Sequence, residues 1–249
     1  MTPDDSPGLE LAADIETASE GYARRFAGPV GAWMLARQSA VLLDWLASTP
    51  GSTVLDVGGG HAQTALPLMY AGHRVTVHGS AESCRDRIAG EVASGKMAFV
   101  ISPLLEIPFP DRAFDHVVCI RLLAHCPRWP ELIREICRLA RQSVVVDYPN
   151  RSSVNLFSGA LFGAKKKVEK NTRPFALFAH REIAGAFAAE GFSVQDRANL
   201  FFLPMALHRA LGMAGLSRTL ESFCGGLGLT RRWGSPTLLC ATRREGRKP

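Results

Sequence analysis

Between residues 52 and 148 the chain alternates short unbroken apolar runs with stretches whose apolar positions recur every three to four residues. The runs are 52–57 (STVLDV), 74–78 (RVTVH), 97–101 (MAFVI), 114–120 (FDHVVCI) and 143–148 (SVVVDY). Each has the length of a strand. Between them, 62–72, 81–94 and 129–141 read as helices. In the last, Leu132, Ile133, Ile136 and Leu139 fall on one face, and Ser80 gives a cap signal before the second. Strands that are apolar throughout are covered on both faces, which marks a parallel sheet flanked by helices.

The flanks extend this pattern. Residues 17–48 read as helices broken near Gly28 and Pro29. Residues 149–179 carry no strand signal and read as an insertion. A helix over 180–192, a strand over 193–203 and a last strand over 234–244 follow. The predicted architecture is α/β: a Rossmann-like, doubly wound, seven-stranded sheet, mostly parallel with an antiparallel edge strand. N-terminal helices and a helical cap insertion complete it. Residues 1–50 form a helical segment expected to pack over a ligand site, and 51–249 form the main domain, with the cap at about 150–180.

Composition narrows the function classes. With 47% hydrophobic and 21% charged residues the chain is ordinary globular protein. Its net charge of +6 sits largely in short runs, Arg24-Arg25, Lys165-Lys166-Lys167 and Arg243-Arg244, expected to be solvated surface. No basic stripe interleaved with aromatics is present, so nucleic-acid binding is not expected. Six cysteines without a CxxC pair or metal-ligand spacing imply no metal and a reducing, cytoplasmic setting. The N-terminal MTPDDSPGLE lacks the charged and apolar regions of a secretory signal. Pro204, His208 and Arg209 interrupt the longest apolar stretch, which disfavours a spanning helix. A monomer or homodimer is expected.

The chemistry should lie beyond the carboxyl ends of the strands, just after Val57, Val77, Ile101, Ile120 and Val146. Gly58, Gly59 and Gly60 stand at the first of these positions, between a strand and a helix. Glycines there let a backbone turn sharply and approach a ligand, and helix-start amides favour an anionic or polar group. A dinucleotide fingerprint would need a third glycine where Gln63 stands, and a phosphate loop would need a lysine that is absent.

The segment Asp56-Val57-Gly58-Gly59-Gly60 resembles motif I of the class I S-adenosylmethionine (SAM) methyltransferases, with Ala62 at the usual third glycine. LEIPFPDRAFDHVVCIRLLAHC is similar to that family's LPF-x-D-x-x-FD-x-V segment, through Pro108, Phe109, Asp111, Phe114 and Asp115. HREIAGAFAAEGF is similar to its late EL…aGF segment. The resemblance spans about residues 20–243 and is strongest over 53–148. Small-molecule enzymes such as those of ubiquinone and menaquinone biosynthesis are the most similar.

The resemblance implies SAM as cofactor, with S-adenosylhomocysteine (SAH) as product. It implies that the Gly58 carbonyl holds the ammonium, and that loop amides, Tyr22 or Arg25 hold the carboxylate. Asp56 would orient the loop. The family's ribose-binding acid at the end of the second strand is replaced here by His78, followed by Gly79 and Ser80. At the adenine, Ser102, Pro103 and Leu104 stand where the family often has an Asp. Arg121 falls where the family touches cofactor or substrate. His125, one helical turn later, suits a general base or a helix cap, and Asp147 and Tyr148 face the same crevice. His61 and Gln63 border the loop.

The implied acceptor is an apolar small molecule or lipid-like precursor, methylated on O, N or C. Phe157, Leu161, Phe162, Phe175 and Phe178 would roof its pocket. Lys165, Lys166, Lys167, Arg173 and His208 would meet an anion or a membrane surface at the inner face, or the insertion would form its own small core. Two alternatives stay open: a SAM-dependent reaction other than methyl transfer, and a non-catalytic SAM-binding member.

Overall fold

The computed structural model describes residues 13–153 and 175–244. Its centre is one seven-stranded sheet. The strands are β1 (Thr53–Val57), β2 (Arg74–Gly79), β3 (Ala98–Ile101), β4 (Phe114–Cys119), β5 (Ala140–Tyr148), β6 (Phe192–Asn199) and β7 (Thr237–Arg243). They lie in the order β3-β2-β1-β4-β5-β7-β6. The first five are parallel, and β7 runs antiparallel between β5 and β6. The strand order reverses between β1 and β4, so the carboxyl ends of both open onto one crevice.

Side-chain alternation along each strand feeds two cores. Leu55, Val57, Val117, Cys119, Val144 and Val146 point to one face. There they meet α6 (Trp129–Leu139) and α7 (His180–Ala189), both amphipathic. Val54, Val75, Val77, Val118 and Val145 point to the other. That face is covered by α3 (Gly28–Leu46) and α4 (Ala65–Tyr70). Pro29 and Pro130 stand in the first turns of α3 and α6, where a missing amide hydrogen costs nothing. Two short helices, α1 (Ala13–Ala18) and α2 (Glu20–Ala23), precede α3.

Two expected helices come out shorter. The one over 62–72 begins only at Ala65, because Ala62 takes a left-handed φ of 61°. The one over 81–94 becomes a 3-10 stretch, Glu82–Ile88, before α5 (Ala89–Ala93). The backbone of Cys84 is pressed there against Gly60, where an added β-carbon would fall 2.5 Å from the Cys84 carbonyl oxygen.

The C-terminal region corrects several expectations. His208 does not reach the surface to meet an acceptor's anion or a membrane. It lies fully buried on α8 (Met205–Leu211), its ring 5.2 Å from that of Trp33 and 6.0 Å from that of Phe201. Its Nε2 is 3.0 Å from Glu221 on α9 (Ala214–Gly226). The same carboxylate accepts hydrogen bonds from the amides of Phe202 and Leu203 at 2.9 and 2.8 Å. A short α10 (Leu229–Trp233) leads into β7. Arg243 is not simply solvated. It donates to the carbonyls of Cys137 and Ala140 and stacks on Phe192. Phe178 does not roof a pocket but packs in the core against Trp129 and Tyr148. Phe157, Leu161, Phe162, Lys165, Lys166, Lys167 and Arg173, and with them most of the cap, lie outside the described residues. All six cysteines are buried free thiols that pack as small apolar groups. Among the described residues no helix is long and apolar enough to cross a membrane.

Candidate active site

The glycine loop closes the end of β1 tightly. Gly58 adopts a left-handed φ of 69°, and its amide donates to the His78 carbonyl at 3.0 Å. A β-carbon on Gly59 would overlap the Asp56 carboxyl at 2.3 Å. Asp56 is fully buried under the loop. Burial lifts its carboxyl to about 8, with the Ala65 amide opposing. His61 is also buried. The Gln63 amide donates to its Nδ1 at 3.1 Å, which puts the ring hydrogen on Nε2, 3.4 Å from the Ile120 carbonyl. Burial first, then Arg121, hold its imidazole near 3, so it is neutral at physiological pH.

At the end of β2 the carboxylate is brought in from elsewhere in the chain. His78 is buried, with Nε2 at 3.0 and 3.1 Å from the carbonyl and hydroxyl oxygens of Ser102, and burial lowers its pKa. Gly79 follows without a side chain. Ser80 then binds Asp14 of α1, which is fully buried. The Ser80 amide donates to Asp14 Oδ2 at 2.6 Å, the Ser80 hydroxyl donates to Oδ1, and the Cys84 thiol lies 3.4 Å from Oδ2. Leu104 is buried in the cluster that also holds Ala13 and Leu122, whereas Pro103 is exposed.

At the end of β4, Arg121 has a left-handed φ of 64°, a strained setting for a side chain of this size. Its amide donates to Asp147 Oδ1 at 2.6 Å. Its guanidinium lies 3.9 Å over the Phe26 ring and donates through Nη2 to Gln38 Oε1 at 2.9 Å. Nη1 of Arg121 and Nε2 of Gln38 are shielded from water and meet no acceptor among the described residues. Burial depresses the Arg121 pKa, opposed first by Tyr22 and then by Asp147. Burial likewise raises the Tyr22 phenol. His125 ends a 3-10 turn, Leu123–His125, and its ring stacks 5.4 Å from the exposed Phe175. Arg25 stacks on Tyr22 at 5.1 Å and stands 4.0 Å from Glu16. A groove of about 570 Å³ runs beside the loop between α3 and α4, lined by Phe26, Leu35, Ser39, His61, Leu66 and Tyr70.

Of the residues singled out in the sequence, the structure brings Asp56, the three glycines, His78, Gly79, Ser80, Ser102 and Leu104 around the ends of β1 and β2. Arg121, Tyr22 and Asp147 gather at the ends of β4 and β5. Sequence reading missed Asp14, Phe26 and Gln38. Nothing in the pattern of the N-terminal helices marks these three as crevice residues.

The family described as Methyltransferase domain matches residues 55–146. The ubiquinone/menaquinone biosynthesis C-methyltransferase UbiE of Paracoccus denitrificans is 30% identical over 106 residues, 40% of this chain and 42% of that protein. Methyltransferase GfsG of Streptomyces halstedii is 29% identical over 111 residues, 42% of this chain and 40% of that protein. The chain thus spans about two fifths of the length of these curated relatives. Among solved structures, the magnesium protoporphyrin IX methyltransferase ChlM of Synechocystis with bound SAH superposes with a TM-score of 0.63 at 16% identity, covering 96% of this chain and 98% of that one. The [4+2]-cyclase SpnF superposes at 0.60 and 18% identity, covering 84% and 81%. The match over residues 55–146, the strand order and the glycine loop at the end of β1 together make this part of the chain similar to the class I SAM-dependent methyltransferases.

Proposed function

We propose that the protein transfers the methyl group of SAM to O, N or C of a small, largely apolar acceptor. The observation that carries this is the left-handed Gly58 turn at the carboxyl end of β1, beside the crevice that the sheet order creates. The backbone of Gly58, Gly59 and Gly60 suits the polar amino-acid end of SAM, and the Ser102–Pro103–Leu104 edge suits its adenine. When bound, the cofactor supplies a sulfonium methyl, a strong donor, so the protein has chiefly to align and desolvate the nucleophile.

Arg121 and Gln38 fit the acceptor side. Their unmet hydrogens sit together in a water-poor setting, and among the described residues no carboxylate forms an ion pair with the guanidinium. The Tyr22 phenol already faces this half-buried cation, and the hydrogens left over suit a further electron-rich partner, such as the oxygen of a phenol, enol or carboxylate. His125, at the edge beside Phe175, is the candidate base for a hydroxyl acceptor. The names of the curated relatives, which include a quinone-pathway enzyme and the sterol 24-C-methyltransferase of Schizosaccharomyces pombe, agree with a small apolar acceptor.

The test has two stages. Calorimetry of the full chain with SAH should show binding, and radiolabelled SAM should then pass its methyl to at least one member of a panel of phenols, quinols and amines. Failure to bind SAH would end the proposal. A second reading, SAM-dependent chemistry without methyl transfer, is favoured by the likeness to a protein named as a cyclase. Tight SAH binding with acceptor conversion but no label transfer would select it.

A further inference from the structure

We propose that Asp14, carried in on α1, is the carboxylate that receives the hydroxyls of the cofactor's ribose. This rests on the SAM-binding reading above. A dinucleotide or nucleoside site on a sheet of this kind places an acid about 20 residues past the first glycine, where it accepts from the ribose. Twenty residues past Gly58 the chain offers His78 and Gly79 and no acid. His78 is turned onto Ser102. Gly79 has no room for a longer side chain, since a β-carbon there would fall 2.6 Å from Cys84 Cβ and 3.1 Å from the Phe99 ring. The end of β2 therefore cannot supply the acid from its own strand.

Asp14 supplies one through space. Its carboxylate is fixed at the next residue, Ser80, through amide and hydroxyl. Its own Cβ stands 3.3 Å from where a β-carbon on Gly58 would be, so it lies directly over the glycine loop. The neighbouring Ala13 is buried in the core cluster that also holds Leu104 and Leu122. Among the described residues no lysine or arginine forms an ion pair with Asp14. Burying a carboxylate against neutral donors alone is an expensive way to dock a helix, for which an apolar side chain would serve better. The arrangement does suit a vicinal diol. A carboxylate has about four acceptor positions. Two are taken by Ser80, and a third meets only the weak Cys84 thiol at 3.4 Å; the carboxylate is fully buried, so hydroxyl donors are received at Oδ1 and in place of the thiol as α1 shifts outward to admit them. Of the other carboxyls at the crevice, Asp56 lies beneath the loop and Asp147 is engaged with the Arg121 amide.

The test is calorimetry on the full chain with two probes, SAH and its 2′-deoxy analogue, using wild type, Asp14→Asn and Ser80→Ala. Asp14→Asn keeps the side chain's shape and an oxygen for the Ser80 amide, so the helix stays docked, which circular dichroism and the melting temperature verify. SAH should bind Asp14→Asn on the order of tenfold or more weakly. The wild-type preference for SAH over the deoxy analogue should shrink toward unity in that variant. Ser80→Ala should show a smaller loss of the same kind. SAH bound as tightly or more tightly by Asp14→Asn, or an undiminished preference for the 2′-hydroxyl, would overturn the assignment and make α1 a plug that the cofactor displaces. If wild type itself binds no SAH, it is the methyltransferase reading that fails.

Discussion

Replacing Gly58 by alanine tests the geometry of the loop directly. The residue sits at φ 69°, and a β-carbon there would come 2.8 Å from Leu122 Cδ2 and 3.3 Å from Asp14 Cβ. A left-handed backbone costs an L-residue about 1–2 kcal/mol. Forcing one methyl into a packed site adds about 1–3 kcal/mol. Gly58→Ala should therefore destabilise the fold by about 2–5 kcal/mol, measured as a fall in the urea midpoint at constant slope. The steric part has a named partner, so a double-mutant cycle separates it. Leu122 is 1% exposed, and Leu122→Ala alone should cost about 2–5 kcal/mol. In the double variant the alanine methyl occupies space that the leucine vacated. The two losses should then fall short of additivity by about 1–2 kcal/mol, within the range of direct contacts. A Gly58→Ala protein as stable as wild type, or strict additivity in the cycle, would refute this account of the loop.

Further outcomes follow from the same geometry. Arg121→Met should lower kcat/KM by about 100-fold through misplacement of the acceptor while SAH affinity stays within about twofold; an equal loss in SAH binding would move Arg121 to the cofactor side. Glu221→Ala should cost about 3–5 kcal/mol in chemical denaturation, because it leaves two amides and His208 buried without their acceptor, and a loss under about 1 kcal/mol would refute that role. Asp56 has its pKa raised to about 8 by burial, so the unfolded chain releases this proton near pH 4 and the folded chain does not. The group therefore costs stability increasingly as pH rises through that window. The stability of Asp56→Asn relative to wild type should improve by about 1.4 kcal/mol per pH unit between pH 5 and 7, and a flat difference would show that Asp56 ionises in the fold.

The sheet and the glycine turn at the end of β1 were legible because they rest on local signals. The five continuous apolar runs demanded cover on both faces, and Val54 and Leu55 do point into opposite cores. The glycine triplet marked the end of β1 for a reason now visible, since Asp56 and Cys84 leave no room for side chains at Gly59 and Gly60. What could not be read were partnerships across the sequence. Asp14 and Ser80 are 66 residues apart, and Gln38 and Arg121 are 83 apart. His208 read as a surface cation because its neighbours in sequence are Leu207 and Arg209. Its surroundings are made by Trp33, Phe201 and Glu221, which arrive from three other segments. Polar residues on amphipathic helices look alike in sequence whether they face water or a crevice, and only the packing distinguishes them.

The amino-terminal half of α3 buries Val30, Trp33 and Met34 against Leu200, Phe201 and Leu238. That contact joins residues separated by about two hundred positions. During synthesis the α3 segment emerges early, yet this part of its apolar stripe gains its first partners, Leu200 and Phe201, only late, and is complete only with Leu238 of the last strand. Closing so long a loop is among the slow events of folding. In the interval the stripe is a sticky surface on a nascent chain, open to chaperones and to other copies. Trp33 sits at the centre of that contact, T-shaped on Phe201 at 5.2 Å. Its fluorescence should therefore change in the final refolding phase, after the parallel strands have formed.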